Sequence, residues 1–159
     1  MKLINTIDIT VKINGRTRQC AVPVRLNLVD FLRDHLGLTG THTGCEHGIC
    51  GSCHVEVDGI VVRGCLMFSA QIDGCEVITI EGLSKSGEAA DLQAQFVAHN
   101  SMQCGFCTPG MIWSAHEFLK TNPEPNRKEV RAALSGNFCR CTGYQSIVDA
   151  VMQTSQDRL

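Results

Sequence analysis

The sequence has almost no net charge: across 159 residues, 14 lysines and arginines face 16 aspartates and glutamates, giving −2, and no run of basic residues occurs anywhere. A nucleic-acid partner is met by a basic patch or stripe, so none is expected. Also missing is any stretch approaching the roughly 20 apolar residues of a membrane span. Met1 to Thr6 alternates polar and apolar residues and opens no secretory h-region. No membrane span is expected, and cytoplasmic residence is the default, with export beside a signal-bearing partner as the alternative. The signature of disorder is absent too, since 43% of residues are apolar and 19% charged. That composition is ordinary for one domain or two small ones.

What the chain does have is cysteine: ten residues, eight of which fall into two groups of four. Clustered cysteines without a secretory signal read as metal ligands before disulfides. Cys20 and Cys75 stand apart and read as small packing residues, Cys20 sharing the parity of Val22 and Val24 on a buried strand face. The first group is Cys45, Cys50, Cys53 and Cys65, the C-x4-C-x2-C…C spacing at which plant-type [2Fe-2S] ferredoxin loops place their thiolates. An iron-sulfur rhomb needs two thiolates on each iron, and a short loop round it must turn its backbone inward. Gly44, Gly48 and Gly51 suit such a loop, because glycine accepts positive φ and lets N–H groups approach the sulfurs. Without those donors the thiolates would bury uncompensated charge.

The surrounding residues divide the chain. Ile7, Ile9, Val11 and Ile13 alternate with polar residues as in a half-buried strand, and Asn14-Gly15 fits a type I′ turn into a second strand over about 17–24. Asn27 caps a helix with Leu28, Phe31, Leu32 and Leu36 as its stripe and Gly37 at its end. Hairpin then helix is how a β-grasp fold begins. Asp58-Gly59 turns a second hairpin that delivers Cys65, residues 76–81 read as one more strand, and Gly82 to Glu88 reads as a polar linker. The expected domains are therefore 1–83 and 84–159. Beyond the linker the period becomes helical, with Leu92 and Phe96 marking one helix and Thr108-Pro109 opening a second. Asn126 and Glu129 form a capping box for a third, and a fourth runs over about 145–153. The fold class is α+β, an N-terminal β-grasp unit followed by four helices.

The second group, Cys104, Cys107, Cys139 and Cys141, is expected at two helix N-termini, where free N–H groups and the dipole favour thiolate. C-x-x-C alone also reads as a redox dithiol or half a zinc site. A zinc-binding structural module and a thiol–disulfide enzyme using Cys104 and Cys107 thus stand as alternatives, although the helical context lacks the βαβ pattern of the latter.

From Leu28-Val29-Asp30-Phe31-Leu32-Arg33 onward, the Gly44 to Cys53 loop, Gln103-Cys104-Gly105-Phe106-Cys107-Thr108-Pro109-Gly110-Met111, and Leu134 through Cys139-Arg140-Cys141 to Tyr144 together resemble the small iron-sulfur subunit of molybdenum hydroxylases. These are the xanthine dehydrogenase, aldehyde oxidoreductase and carbon monoxide dehydrogenase relatives. The resemblance implies a ferredoxin-like domain and a helical domain with one [2Fe-2S] cluster each, the eight clustered cysteines being the ligands. It implies a large partner subunit holding molybdopterin, by that likeness in the cytosine dinucleotide form, and a medium subunit holding FAD. Electrons would pass from molybdopterin through both clusters towards FAD or another acceptor, in an enzyme hydroxylating a substrate with oxygen from water. Carried over by position, Gln103 would hydrogen-bond the pterin and Cys141 would contact it through sulfur while ligating iron. Members that fuse these parts are far longer, so a stand-alone subunit is expected, with no catalytic residue or substrate site on this chain. Small subunits of this kind suggest an N-heteroaromatic or related aromatic substrate.

His42, His47 and His54 flank the first loop, but four cysteines already complete its coordination, so the histidines read as surface or supporting groups instead of Rieske ligands. His35, His99 and His116 read as ordinary helix residues, Arg140 as a loop charge, and Trp113 and Phe106 as core or interface contacts.

Overall fold

The computed structural model describes residues 5–159; the reading of residues 1–4 lies outside them. Strand β1 (Thr6–Ile13) turns at Asn14-Gly15, with φ 48° and 79°, into antiparallel β2 (Arg16–Pro23). Two consecutive positive φ values are what a type I′ turn requires, and the sequence supplies the two residue types that accept them. Asn27 then accepts from the Asp30 N–H at 2.8 Å and starts α1 (Leu28–Asp30). The expected helix is here one α turn continued by a wider π turn over Phe31–His35, with the Leu36 N–H reaching Phe31. Strands β3 (His54–Val57) and β4 (Ile60–Arg63) form the second hairpin, and β5 (Glu76–Ile78) closes a mixed sheet in the order β2-β1-β5-β3-β4.

One face of this sheet, through Ile9, Val11, Ile13, Val22, Val55, Val57 and Val77, packs on Leu28, Phe31, Leu32 and Ile72. Cys20 and Cys75 lean part-buried against the same cluster. Ile7 departs from the expected face and is 44% exposed. Its end of β1 has a neighbour on one side only, since β5 pairs with β1 at Lys12 and Ile13 alone.

The expected strand over 76–81 and the linker after it are different in the structure. β5 ends at Ile78, and α2 (Ile80–Ser86) follows from its cap Thr79, closed by Gly87 at φ 82°. Ile80 and Leu83, three residues apart, bury themselves in the cluster of the helical half, and that burial makes a helix of a segment whose other residues are polar. Helices α3 (Ala90–Ala98), α4 (Thr108–Thr121), α5 (Arg127–Ala133) and α6 (Gln145–Asp157) complete the chain. Asn126 and Glu129 make the expected capping box. Helix α6 runs beyond the expected residue 153 because its extension is held by polar groups: Thr154 donates to Ala150 at 2.8 Å and Ser155 to Pro123 at 2.6 Å. Phe96, Met111, Trp113, Leu119, Ile147 and Val151 centre this second cluster, and Val61 and Ile78 of the sheet pack against it. The helical layer thereby rests on the sheet and sets the two cysteine loops side by side.

Candidate metal centres

The first cysteine loop fills the irregular stretch between the π turn and β3. Glu46, Gly48 and Gly51 take φ of 57°, 79° and 73°, which curls the backbone so that its N–H groups face inward. The Ile49 and Cys50 N–H groups each lie 3.3 Å from Cys45 Sγ. Burial opposes ionisation of Cys45, but N–H donation from Cys50, His47 and Ile49 outweighs it and brings that thiol down to about 6. The Cys50 thiol neighbours Cys45 and the Cys65 thiol neighbours Cys53, so the quartet falls into two pairs. Burial, reinforced by Cys65 and Cys50, pushes Cys53 up to about 12. Cys65 sits in the 3-10 turn Gly64–Leu66 directly after β4, and the Gly64 N–H donates to the Cys53 carbonyl at 3.1 Å, which ties the fourth thiol to the loop.

The second quartet pairs in the same way. Cys104 and Cys141 Sγ are 3.6 Å apart, and the thiols of Cys107 and Cys139 are neighbours. Cys107 caps α4, so Thr108 and Pro109 enter the helix one position earlier than their pattern suggests. Burial first, then Cys139, lifts the Cys107 thiol to about 12. Burial acts against ionisation at Cys139 as well, but the hydroxyl and N–H of Thr142 and the N–H of Cys141 draw that thiol below its ordinary value.

Cys139 and Cys141 do not stand at the N-terminus of α6, where they were expected; they lie in the loop ahead of its cap, Tyr144. That loop is organised by the tyrosine hydroxyl, which accepts from the Cys139 N–H at 2.8 Å and donates to the Asn137 carbonyl at 3.1 Å. Tyr144→Phe should leave both groups unpaired, destabilising the loop by about 1–3 kcal/mol. Thermal unfolding of the assembled protein, with retention of the iron signal of this quartet, checks it.

The two loops meet at a seam. The Phe138 N–H donates to the Cys50 carbonyl at 2.8 Å, and Asn137 Nδ2 to the Gly51 carbonyl at 3.4 Å. Ser114 of α4 donates to Asn137 Oδ1 at 2.7 Å and lies 3.0 Å from His54 Nδ1, while Arg63 reaches the Gly136 carbonyl at 3.2 Å. Burial draws the His54 imidazole below its usual range. The roles of Asn137, Ser114 and Arg63 had no signal in the sequence, because Asn137 and Arg63 act on backbone carbonyls of a distant segment and Ser114 on the side chains of Asn137 and His54. His42, His47 and His54 address the carbonyls of Phe106, Cys45 and Gly110, which suits supporting roles.

Residues 11–83 match the 2Fe-2S iron-sulfur cluster binding domain family and residues 79–152 the [2Fe-2S] binding domain family. The chain is 51% identical over 146 residues to the nicotine 6-hydroxylase small subunit of Paenarthrobacter nicotinovorans, covering 92% of this chain and 88% of that one. It is 43% identical over 150 residues to caffeine dehydrogenase subunit gamma of Pseudomonas sp. strain CBB1, covering 92% and 90%. A chain in the crystal structure of quinoline 2-oxidoreductase from Pseudomonas putida 86 superposes with a TM-score of 0.89 at 46% identity, covering 95% and 94%. The chain belongs to the small iron-sulfur subunits of molybdenum hydroxylases.

This iron-sulfur subunit is thus an electron-transfer component of an oxidoreductase whose molybdenum centre lies in a large partner subunit. Its fold is ferredoxin-like followed by a helical half. The donor geometry fits the group: all ten thiols are free, and those of each quartet meet two by two. Two thiols per metal, twice over, is the demand of a two-iron core. A structural zinc site instead draws four ligands onto one ion. Among the described residues, no helix is long and apolar enough to cross a membrane.

Proposed function

We propose that the iron-sulfur subunit carries two [2Fe-2S] clusters, one held by Cys45, Cys50, Cys53 and Cys65 and the other by Cys104, Cys107, Cys139 and Cys141. The observation that carries this reading is the pairwise meeting of thiols within each quartet. Bound there, the clusters would supply one-electron carriage between molybdopterin in the large subunit and FAD, or another acceptor, in a further one. The chain's own part is to fix the two sites and join them. Cys50 and Cys139 are ligands in different loops, and a single hydrogen bond from Phe138, the residue before Cys139, to the Cys50 carbonyl connects them. Residues 1–83 and 84–159 divide the sites between them, with α2 as the junction that the two matched family regions share.

Gln103 and Cys141 are the residues we assign to the pterin side. Both are exposed, and Cys104, which follows Gln103, lies against Cys141, so the three can be presented together to a partner. Gln103 would donate or accept a hydrogen bond at the cofactor, most simply a molybdopterin cytosine dinucleotide, and Cys141 would meet it through sulfur. Gln103→Ala should remove one hydrogen bond, worth about 0.5–1.5 kcal/mol, and slow electron exit from the partner roughly two- to twelve-fold. Reductive half-reaction kinetics on the assembled enzyme read this, and an altered substrate range in that variant would contradict it.

The substrate is placed on the large subunit and assigned to the N-heteroaromatic class, hydroxylated with oxygen from water, in the cytoplasm. Support comes from the names of the relatives, whose substrates nicotine, caffeine and quinoline all contain ring nitrogen. Assaying the whole complex against N-heteroaromatics, purines and aldehydes tests it; turnover of aldehydes alone would overturn the class.

A further inference from the structure

The seam contains an aromatic contact that thiol ligation does not require. His42, three residues before Cys45, stacks on Phe106 with ring centroids 4.6 Å apart and planes 14° from parallel. Its Nδ1 lies 2.7 Å from the Phe106 carbonyl oxygen. A carbonyl can only accept, so Nδ1 carries the proton. Phe106 stands between Cys104 and Cys107, yet its ring reaches the first loop: a Cβ added to Gly44 would meet Phe106 Cε1 at 3.7 Å and Cys50 Sγ at 3.0 Å.

The base of the imidazole is anchored in the first loop, since the His42 N–H donates to the Ser52 carbonyl at 3.3 Å. Every other bond across the seam goes to residues 110, 114 or 136–138. Among the described residues, His42 is therefore the one side-chain hydrogen-bond tie between the first loop and the Cys104–Cys107 turn. At the tip of that turn Gly105 takes φ 80° with nothing packed where its Cβ would be.

We propose that His42 is a positioning residue: its Nδ1–H holds the Cys104–Cys107 turn at a fixed distance from the first thiol loop and so sets the spacing that electrons cross between the clusters. The inference rests on the two-cluster reading. The hydrogen bond, more than the stack, does the fixing, because offset aromatic pairs tolerate sliding over an ångström or more while a short N–H to carbonyl bond weakens steeply with displacement.

Assembled complexes carrying His42→Asn, His42→Phe and His42→Ala test it against wild type. Asparagine keeps a donor where Nδ1 stands, whereas phenylalanine keeps only the ring. Iron content, the magnetic splitting between the two reduced centres, and the rate of electron passage from one to the other are measured. With iron equal in all, His42→Ala and His42→Phe should change the splitting and slow the passage several-fold, and His42→Asn should keep both near wild type. Unchanged splitting and rate in His42→Phe would overturn the proposal, as would iron loss in all three variants, which would make His42 a general support of the loop. A single signal with half the iron in wild type would instead overturn the two-cluster reading, and this inference with it.

Discussion

Cys45→Ser is expected to abolish one iron EPR signal of the reduced complex and Cys139→Ser the other, each with loss of about two of about four irons per chain. The two quartets share no thiol, and each pairs its own sulfurs, so the loss of one ligand strands one iron pair only. Both positions are the sulfurs that collect backbone donors, Cys45 from Ile49 and Cys50 and Cys139 from Thr142. Serine oxygen is smaller and less polarisable than thiolate sulfur and sits too far back to take those bonds at 3.3–3.4 Å. Turnover with an acceptor downstream of the subunit should fall to background in both variants. If one substitution erased both signals in a complex that still assembled, the separation of the sites would be wrong.

Gly110→Ala is expected to be the most damaging substitution outside the cysteines. A Cβ there would lie 2.9 Å from the Gly51 carbonyl carbon and 3.0 Å from Ser52 Cα, and closer still to the Gly51 carbonyl oxygen. All three are backbone atoms of the first thiol loop, so no side chain can swing away. Gly51 cannot retreat freely either, because its own positive φ and the bonds from Asn137 and Phe138 fix the segment. Helix α4 would have to lift from the loop and take Cys107 with it. Overpacking of this kind costs about 3 kcal/mol or more. Gly59→Ala is the control: its φ is 80° but nothing lies within 4 Å of the added carbon, so only the left-handed strain of about 1 kcal/mol applies. Thermal unfolding of the two variant complexes should separate them clearly, with Gly110→Ala also perturbing both iron signals. Equal melting temperatures would mean that the close approach of α4 is not what holds the halves together.

What the sequence made legible was whatever acts locally. Asn14-Gly15 and Asp58-Gly59 each take the paired positive φ of a hairpin turn, and Asn126 with Glu129 closes its own capping box. The cysteine spacing likewise expresses a local need, a loop short enough to wrap a small inorganic core. Helix α2 was hidden because Ser84, Lys85 and Ser86 are exposed and only Ile80 and Leu83 anchor it. Its Gly82, read as the start of a polar linker, has Asn14 lying against it, and Asn14 in turn bonds Thr79 at 2.9 Å. The last turn of α6 was hidden for a related reason, since it is buried through hydroxyls that no apolar periodicity counts.

The seam was the least legible part. His42, the α4 pair Gly110 and Ser114, and Asn137 lie far apart in sequence; Gly110, Asn137 and His42 approach or bond backbone atoms of the other half, and Ser114 joins the side chains of Asn137 and His54. Small and polar residues in that role leave no period, and the motifs that include Gly110 and Asn137 do not say what those two residues touch. Spacing and the family likeness pointed to the thiols, and the likeness alone to Gln103, but the contacts that place one quartet against the other came only from the folded chain.

The central claim is that one chain builds two separate [2Fe-2S] sites, and the most direct test is iron and acid-labile sulfide per iron-sulfur subunit in the purified complex, with EPR of the same reduced sample. About four irons and about four sulfides per chain, with two distinguishable signals, is the predicted result; about two irons with one signal, or zinc in place of iron and no sulfide, would contradict it.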